Sequence, residues 1–196
     1  MGTLFKIKLF APSENEARRA ANAAFDRIED LDGVLSDYIP DSELNRLEAA
    51  PAKVPFPLSR DLQRVLGNAL RLAAASDGAF DPTLGHYTNL WRRSLRKGSL
   101  PSAEQLDDVR AKSGHASIRL SSLPGGSTAA TLLREGLVLD LGGIAKGFAA
   151  DEALLAMKKL GLTRAAVAAG GDIRVGDPPP GEAAWSIPVL SPDRAT

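Results

Sequence analysis

From Thr3 to Phe10 apolar and polar residues alternate, with Phe5, Ile7 and Leu9 on one side and Lys6 and Lys8 on the other. This period of two predicts a strand with one buried face. The period then lengthens. Ser13-Glu14-Asn15-Glu16 has the capping-box pattern, and Ala17, Ala21, Ala24, Ile28, Leu31 and Leu35 follow at steps of four and three, which predicts one long amphipathic helix ending between Gly33 and Asp37. Tyr38 to Ser42 reads as a turn, with Asp41 or Ser42 capping a short helix through about Glu48. Proline-rich residues 51–57 predict a loop. Ser59 and Asp61 open a second long helix with the stripe Leu62, Val65, Leu66, Ala69 and Ala73, stopped by Asp77-Gly78.

The second half reads differently. Ala79 to Gly85 carries turn chemistry and leads into an amphipathic stretch around Asn89-Leu90-Trp91. Ser102 with Gln105 caps another helix, ended by Gly114. Strands are expected at Ala116–Leu120 and Ala130–Arg134, then a Glu135-Gly136 turn and a strand at Leu137–Leu141, the last two forming a hairpin-like pair. A helix follows at once, strongly helical over Ala149–Leu160 and closed by Gly161. Ala165–Ala169 and Asp172–Val175 read as strands hinged on Gly170-Gly171, and Trp185–Leu190 begins one more. Helices early, strands with one crossover helix late, and no internal repeat predict an α+β or α/β layered domain. Ser191–Thr196 follows a strand-like segment with neither a closing helix nor a polar tail, so the chain is expected to be cut short.

Composition narrows the chemistry. At 196 residues and 44% hydrophobic content, the chain suits one domain, or one domain plus a fragment. Lys plus Arg and Asp plus Glu each number 24, so no whole-molecule field draws it to nucleic acid or anionic lipid. The absence of cysteine removes disulfides, thiolate nucleophiles and cysteine-based metal sites, and leaves the compartment open. His86 and His115 are too few for a histidine-rich metal site, so a divalent metal would be oxygen-bound, magnesium or calcium. The N-terminus shows no targeting leader. Its Met-Gly start has Lys6 where a myristoylation motif needs Ser or Thr. No apolar run of about 18 residues predicts a membrane span.

Candidate chemistry concentrates at Asp140-Leu141-Gly142-Gly143-Ile144-Ala145-Lys146-Gly147. An apolar segment delivers a carboxylate to its end, two glycines admit a ligand close to the backbone, and a helix follows whose first amides favour an anion, with Lys146 adding charge. Asp140 would alternatively hold a metal or a ribose hydroxyl, and the glycines would alternatively serve packing, with Lys146 a solvated lysine of the first turn. The pattern is neither GxGxxG nor GxxxxGK[ST], which excludes a Rossmann fingerprint and a P-loop as written. Gly170-Gly171-Asp172 reads first as a bulge. Tyr38 presents a ring either for stacking on a flat heterocycle or for covering the core. Asp81, before Pro82, either accepts hydrogen bonds from a base or ribose or serves the turn. Neither His86 nor His115 is assigned a catalytic role.

Five of these segments, in order, resemble the ApbE family of flavin transferases, the FAD:protein FMN transferases. Leu35-Ser36-Asp37-Tyr38 with Asp41-Ser42-Glu43-Leu44 is similar to that family's S-x-Y then S-E turn, and Met1-Gly2-Thr3 to its entry strand. Gly78 to Thr83 with Asn89-Leu90-Trp91, Asp140 to Asp151, and Gly170-Gly171-Asp172-Ile173-Arg174 resemble its later motifs, the middle one usually written D-L-G-A-I-A-K-G-x-x-x-D. The resemblance implies a layered α+β fold, with a T-fold-like mixed sheet flanked by helices, as one domain over residues 1–196 lacking its C-terminal portion. It implies that Met1, Tyr38, Ala79, Phe80, Asp81, Asp140 and Lys146 contact FAD, that Lys146 is catalytic, and that the carbonyl of Gly143, where the family commonly has alanine, is a magnesium ligand. The implied reaction is attack of a protein threonine or serine hydroxyl on the FMN phosphorus with release of AMP. The implied acceptors are subunits of membrane redox complexes, and the implied compartment is the bacterial periplasm or envelope. The family's histidine-containing D-P-x-T-G segment and a later aspartate with threonine have no counterpart before Thr196, so residues 1–196 are expected to bind flavin weakly and to transfer little FMN. An FAD pyrophosphatase using water as nucleophile and a non-catalytic flavin-binding protein are the alternatives.

Overall fold

The computed structural model describes residues 2–188. In chain order the elements are β1 (Phe5–Leu9), α1 (Glu14–Leu35), α2 (Glu43–Ala49), β2 (Phe56–Pro57), α3 (Arg60–Ala75), α4 (Gly85–Lys97), α5 (Ala103–Ala111), a 3-10 turn (His115–Ser117), β3 (Ile118–Ser122), β4 (Thr128–Leu132), α6 (Gly142–Lys159), β5 (Ala165–Ala169) and β6 (Asp172–Val175). The fold is α+β, as expected. Its strands form two antiparallel three-stranded sheets, ordered β1-β5-β6 and β2-β4-β3, where the sequence had implied a single mixed sheet. The described residues divide into two compact units, one from Glu29 to Phe148 and the other from Gly2 to Ile28 with residues 149–188.

In the second unit, β1 alternates as its sequence requires, Phe5, Ile7 and Leu9 half-buried and Lys6 and Lys8 exposed. That apolar face packs on Ala20, Ala24 and Ile28 of α1, Ala150, Ala153 and Met157 of α6, and Ala165, Val167 and Ala169 of β5. The α1 stripe enters the core through Ala20, while Ala17 and Ala21 stay half-exposed, a small rotation from the predicted stripe. Ser13 caps α1, its hydroxyl accepting the Glu16 amide. Gly170 and Gly171 have φ of 61° and 119°. They make the two-residue turn of the β5–β6 hairpin, with Ala169 opposite Asp172, so a tight hairpin turn replaces the expected bulge. A β-carbon on Gly170 would lie 2.3 Å from the Thr3 hydroxyl. Trp185–Pro188 is not a strand; the Trp185 indole donates to the Asp177 carbonyl at 2.9 Å. Val189, Leu190 and Ser191–Thr196 lie outside the described residues.

In the first unit, Ser42 caps α2 and Ser59 caps α3, each hydroxyl accepting the amide three residues on. All five predicted stripe residues of α3 are fully buried. Asp77 and Gly78, with φ of 50° and 79°, stop it. The 51–57 loop contains β2, which pairs Phe56 with Ala130. Both halves of the Ser102–Gln105 capping box form at α5, which ends at Ala111, three residues before Gly114.

Two expectations fail here for identifiable reasons. The hairpin joins β3 to β4 through Leu123–Ser127, where Gly125 and Gly126 have φ of 88° and 84°, and both strands are shifted by two residues from the predicted ones. Leu137–Leu141 alternates buried and half-exposed like a strand but joins no sheet among the described residues. Its backbone is satisfied piecemeal instead: Leu139 N–H donates to the Glu48 carboxylate at 2.6 Å, Asp140 N–H to the Pro82 carbonyl at 2.8 Å, and the Val138 carbonyl accepts Gly85 N–H at 3.1 Å. Alternation reports burial of one side, and a side chain can stand in for a ladder partner. Helix α6 begins at Gly142, directly after this segment as expected, its start set by the Leu141 carbonyl, which accepts the Ile144 and Ala145 amides.

Candidate functional site

Buried Leu137, Leu139 and Leu141 anchor the approach to the Asp140 turn. One Asp140 oxygen accepts Gly142 N–H at 2.7 Å, and the other accepts the Thr88 hydroxyl at 2.6 Å. The carboxylate is therefore held at the N-terminus of α6, where the helix dipole favours it. Gly142 and Gly143 are exposed. A β-carbon at Gly142 would lie 2.9 Å from the Asp140 oxygen, and one at Gly143 would lie 3.1 Å from the Phe80 ring. Absence of side chains here keeps the turn open on one side while Asp140 and Phe80 close against it on the other. Lys146 sits one turn into α6, and its ammonium donates to the Gly142 carbonyl in a very short contact. It thus lies in the second turn of the helix, half-exposed and folded back toward the start.

This geometry narrows the open choice at Asp140. An ionised carboxylate accepts hydrogen bonds and attracts cations, but repels a bare phosphate. Asp140 therefore weakens the hold of the glycine backbone and Lys146 on a phosphate unless a cation accompanies it. Among the described residues no group of three or more His, Cys, Asp or Glu is arranged to hold a metal. One carboxylate beside an exposed glycine turn fits an oxygen-bound ion carried by phosphates, the usual habit of magnesium, rather than a preformed cage.

Tyr38 is 62% exposed, so its ring does not cover the core. The Arg92 guanidinium lies over it, 4.6 Å from the centroid, and pairs with Asp37 at 2.9 Å. Burial opposes the arginine's charge, yet the Asp37 hydrogen bond and the nearby Asp37, Tyr38 and Asp140 hold its pKa above the ordinary arginine value. Arg92 also lines a cleft of about 780 Å³ with Leu84, Tyr87, Thr88, Trp91 and Leu95. Thr88 belongs both to this cleft and to the Asp140 turn.

Asp81 is used within the protein. One of its oxygens accepts the Thr83 amide at 2.8 Å and the Thr83 hydroxyl at 2.6 Å; the other accepts the His115 amide at 2.9 Å and faces His115 Nδ1 at 3.3 Å. Burial works to raise this carboxyl, but those hydrogen bonds outweigh it and leave the pKa below the ordinary aspartate value. Thr83, fully buried, also accepts Gly114 N–H. His115, given no role from sequence, is the second clasp of the Asp81 loop. His86 lies 2.7 Å from the Gly136 carbonyl. Ala79 is exposed, and Phe80 N–H is held by the Ser76 hydroxyl. The structure thus joins Phe80 to Gly143, and Asp140 and Lys146 to Gly142, while Asp81 turns to its own loop. Met1 lies outside the described residues. In the other unit, Arg174 of the Gly-Gly-Asp-Ile-Arg segment pairs with Asp151 at 2.7 Å, linking two of the motifs read from sequence.

Sequence reading missed Glu48, Thr88 and Arg92. Glu48 is raised to about 7, first by burial and then by Asp37 and Asp140, against the favourable Leu139 amide. No short motif announces any of the three; the Asp81–Thr83 pair, by contrast, is an Asx-turn that Asp-Pro-Thr does signal.

The model of the ApbE family matches residues 1–196. The chain is 30% identical over 176 residues to the FAD:protein FMN transferase of Salmonella typhimurium, covering 87% of this chain and 49% of that protein. It is 29% identical over 199 residues to the Haemophilus influenzae FAD:protein FMN transferase, covering 98% and 57%. Among solved structures it is similar to the ApbE protein of Thermotoga maritima, with a TM-score of 0.83 and 26% identity over 97% of this chain and 61% of that one. It is likewise similar to the flavin transferase ApbE of Vibrio cholerae, with a TM-score of 0.74 and 27% identity over 90% and 56%. The chain spans about half the length of the curated relatives it matches.

Proposed function

The chain belongs to the ApbE family, and from that membership we propose that its Asp140–Gly147 turn holds the pyrophosphate of FAD while the FMN moiety is transferred to a protein hydroxyl. The observation that carries this reading is the open glycine start of α6 with Asp140 fixed on one side and Lys146 folded toward it. In the reaction, a threonine or serine oxygen of the acceptor forms a new bond to the FMN phosphorus. The bond from that phosphorus to the bridging oxygen breaks, AMP leaves with the electron pair, and the hydroxyl proton passes to surrounding water. Lys146 and the positive end of the α6 dipole orient the pyrophosphate and offset its charge. Tyr38, with one face under Arg92, offers the other to a flat ring; Phe80 borders the turn with exposed Ala79 just before it in the chain, and Asp81 supports it by shaping the 79–84 loop. When bound, a magnesium ion held by the Gly143 carbonyl, with Asp140 beside it, would neutralise pyrophosphate charge and so favour departure of AMP. The acceptor we infer is a subunit of a membrane redox complex and the compartment the bacterial envelope, both on family resemblance. Among the described residues no helix is long and apolar enough to cross a membrane.

Titration of FAD by flavin fluorescence, with and without magnesium, tests the site. Lys146→Ala is expected to weaken binding about tenfold or more, the scale of a charge-assisted hydrogen bond. Asp140→Ala is expected to remove most of the magnesium dependence. Unchanged affinity in both variants would refute the assignment.

A further inference from the structure

The segment that presents Asp140 is held at three backbone positions, and one of the three anchors is an ionisable side chain from a distant helix. Glu48, in the last turn of α2, accepts the amide of buried Leu139 at 2.6 Å across 91 residues of sequence. The other two anchors are backbone, the Pro82 carbonyl for Asp140 N–H and the Gly85 amide for the Val138 carbonyl. We propose that Glu48 is a positioning residue for FAD binding: its carboxyl fixes the posture of Asp140, and its ionisation sets how much negative charge the FAD pyrophosphate must meet. This rests on the reading of the turn given above.

The surroundings of Glu48 give the proposal its sign. Asp37 at the end of α1 and Asp140 ahead of α6 oppose its ionised form, and the Leu139 amide favours it. Arg92 of α4 is bound to Asp37 and also drawn toward Asp140, and the Lys146 ammonium lies at the Gly142 carbonyl beside it. Burial is the largest influence, and together these place the carboxyl near 7, partly ionised at neutral pH. A pyrophosphate arriving without a divalent cation adds negative charge beside Asp140, so it favours protonated Glu48. FAD binding then takes up a proton and tightens as pH falls through neutrality. The hydrogen bond to Leu139 survives, because a protonated carboxyl keeps an oxygen to accept it.

The test is FAD titration at pH 6 and pH 8 without divalent metal, comparing the unmodified chain with Glu48→Gln and Glu48→Ala. The unmodified chain is expected to bind roughly threefold or more tightly at the lower pH, the scale of one partly screened charge interaction. Glutamine retains an acceptor for the Leu139 amide and carries no charge, so Glu48→Gln should bind at pH 8 as tightly as the unmodified chain does at pH 6, with its two affinities nearly equal. Glu48→Ala leaves the amide without its partner and should bind more weakly than Glu48→Gln at both pH values, circular dichroism reporting whether it folds. Should it not fold, the glutamine variant still decides. A Glu48→Gln variant with the original pH response, in a chain whose FAD binding depends on Lys146, would overturn the role of Glu48 alone. Failure of the unmodified chain to bind FAD at either pH would overturn the reading of the turn and this inference with it.

Discussion

Gly85 opens α4 at a point where its backbone lies against Val138, two residues before Asp140. A β-carbon there would sit 2.4 Å from Val138 Cγ1, 2.8 Å from its carbonyl oxygen and 2.9 Å from its carbonyl carbon. Rotating the valine relieves only the first of these contacts, because the other two atoms are backbone. Gly85→Ala therefore has to displace the chain at Val138, at a cost of about 1–3 kcal/mol for overpacking. It also strains the Gly85–Val138 hydrogen bond, worth about 0.5–1.5 kcal/mol. Against this stands the helix-propensity gain of alanine, at most about 1 kcal/mol and smaller at a helix end. The net expectation is a destabilisation of about 1–3 kcal/mol, together with weaker FAD binding because Leu139 and Asp140 move with Val138. Gly67→Ala is the internal control. Gly67 lies inside α3, and its added carbon would meet Leu120 at an ordinary 3.8 Å, so that change should stabilise by about 0.5–1 kcal/mol. Urea unfolding followed by the fluorescence of Trp91 and Trp185 and by circular dichroism reads both, with midpoints compared at unchanged slope. A Gly85→Ala midpoint at or above the unmodified chain's, or a Gly67→Ala midpoint below it, would refute the argument.

Thr83→Val keeps the buried shape but removes the hydroxyl that Gly114 N–H and Asp81 share; a loss of about 1–3 kcal/mol is expected in the same unfolding assay, and a loss under about 0.5 kcal/mol would show the bridge to be dispensable. Because the Asp81 carboxyl lies below its ordinary value of 3.8, its contribution is present above that pH and disappears as pH falls through the lower folded value. Asp81→Asn should therefore flatten the acid limb of stability, and an unaltered limb would count against the clasp. Glu48 has the opposite sign. Raised from 4.5 to about 7, it binds more protons folded than unfolded between those values, so stability declines as pH rises across that window. Glu48→Gln should lose that decline, and an identical pH dependence in the two proteins would contradict the burial argument.

Helix positions were legible where one residue type dictates the local geometry. The serine caps at Ser42, Ser59 and Ser102, the α3 stripe and the Asp77-Gly78 stop all follow from side chains acting on their own segment. Leu137–Leu141 misled because alternation registers burial and is silent on what satisfies the backbone. The start of α6 was legible, since the helix follows the Asp140 segment at once and the Leu141 carbonyl initiates it. At the candidate site, Asp140, the glycines and Lys146 were visible as an ordered motif. Glu48, Thr88, Arg92 and His115 were not, since each acts on a partner dozens of residues away in sequence.

The seven-residue helix α2 has a consequence for the order in which the molecule assembles. Glu43 accepts Ser59 N–H from 16 residues away and Glu48 accepts Leu139 N–H from 91. Closing a longer loop costs more chain entropy, about 0.6 kcal/mol for each doubling, so the nearer clasp forms on easier terms than the distant one. Local helices and the α2–α3 junction can therefore be in place while the Asp140 segment is still searching. During synthesis α2 leaves the ribosome long before Leu139 does, and it waits as a ready-made acceptor for the last part of the turn to arrive. Pulse-labelling hydrogen exchange during refolding should find the Ser59 amide protected before that of Leu139.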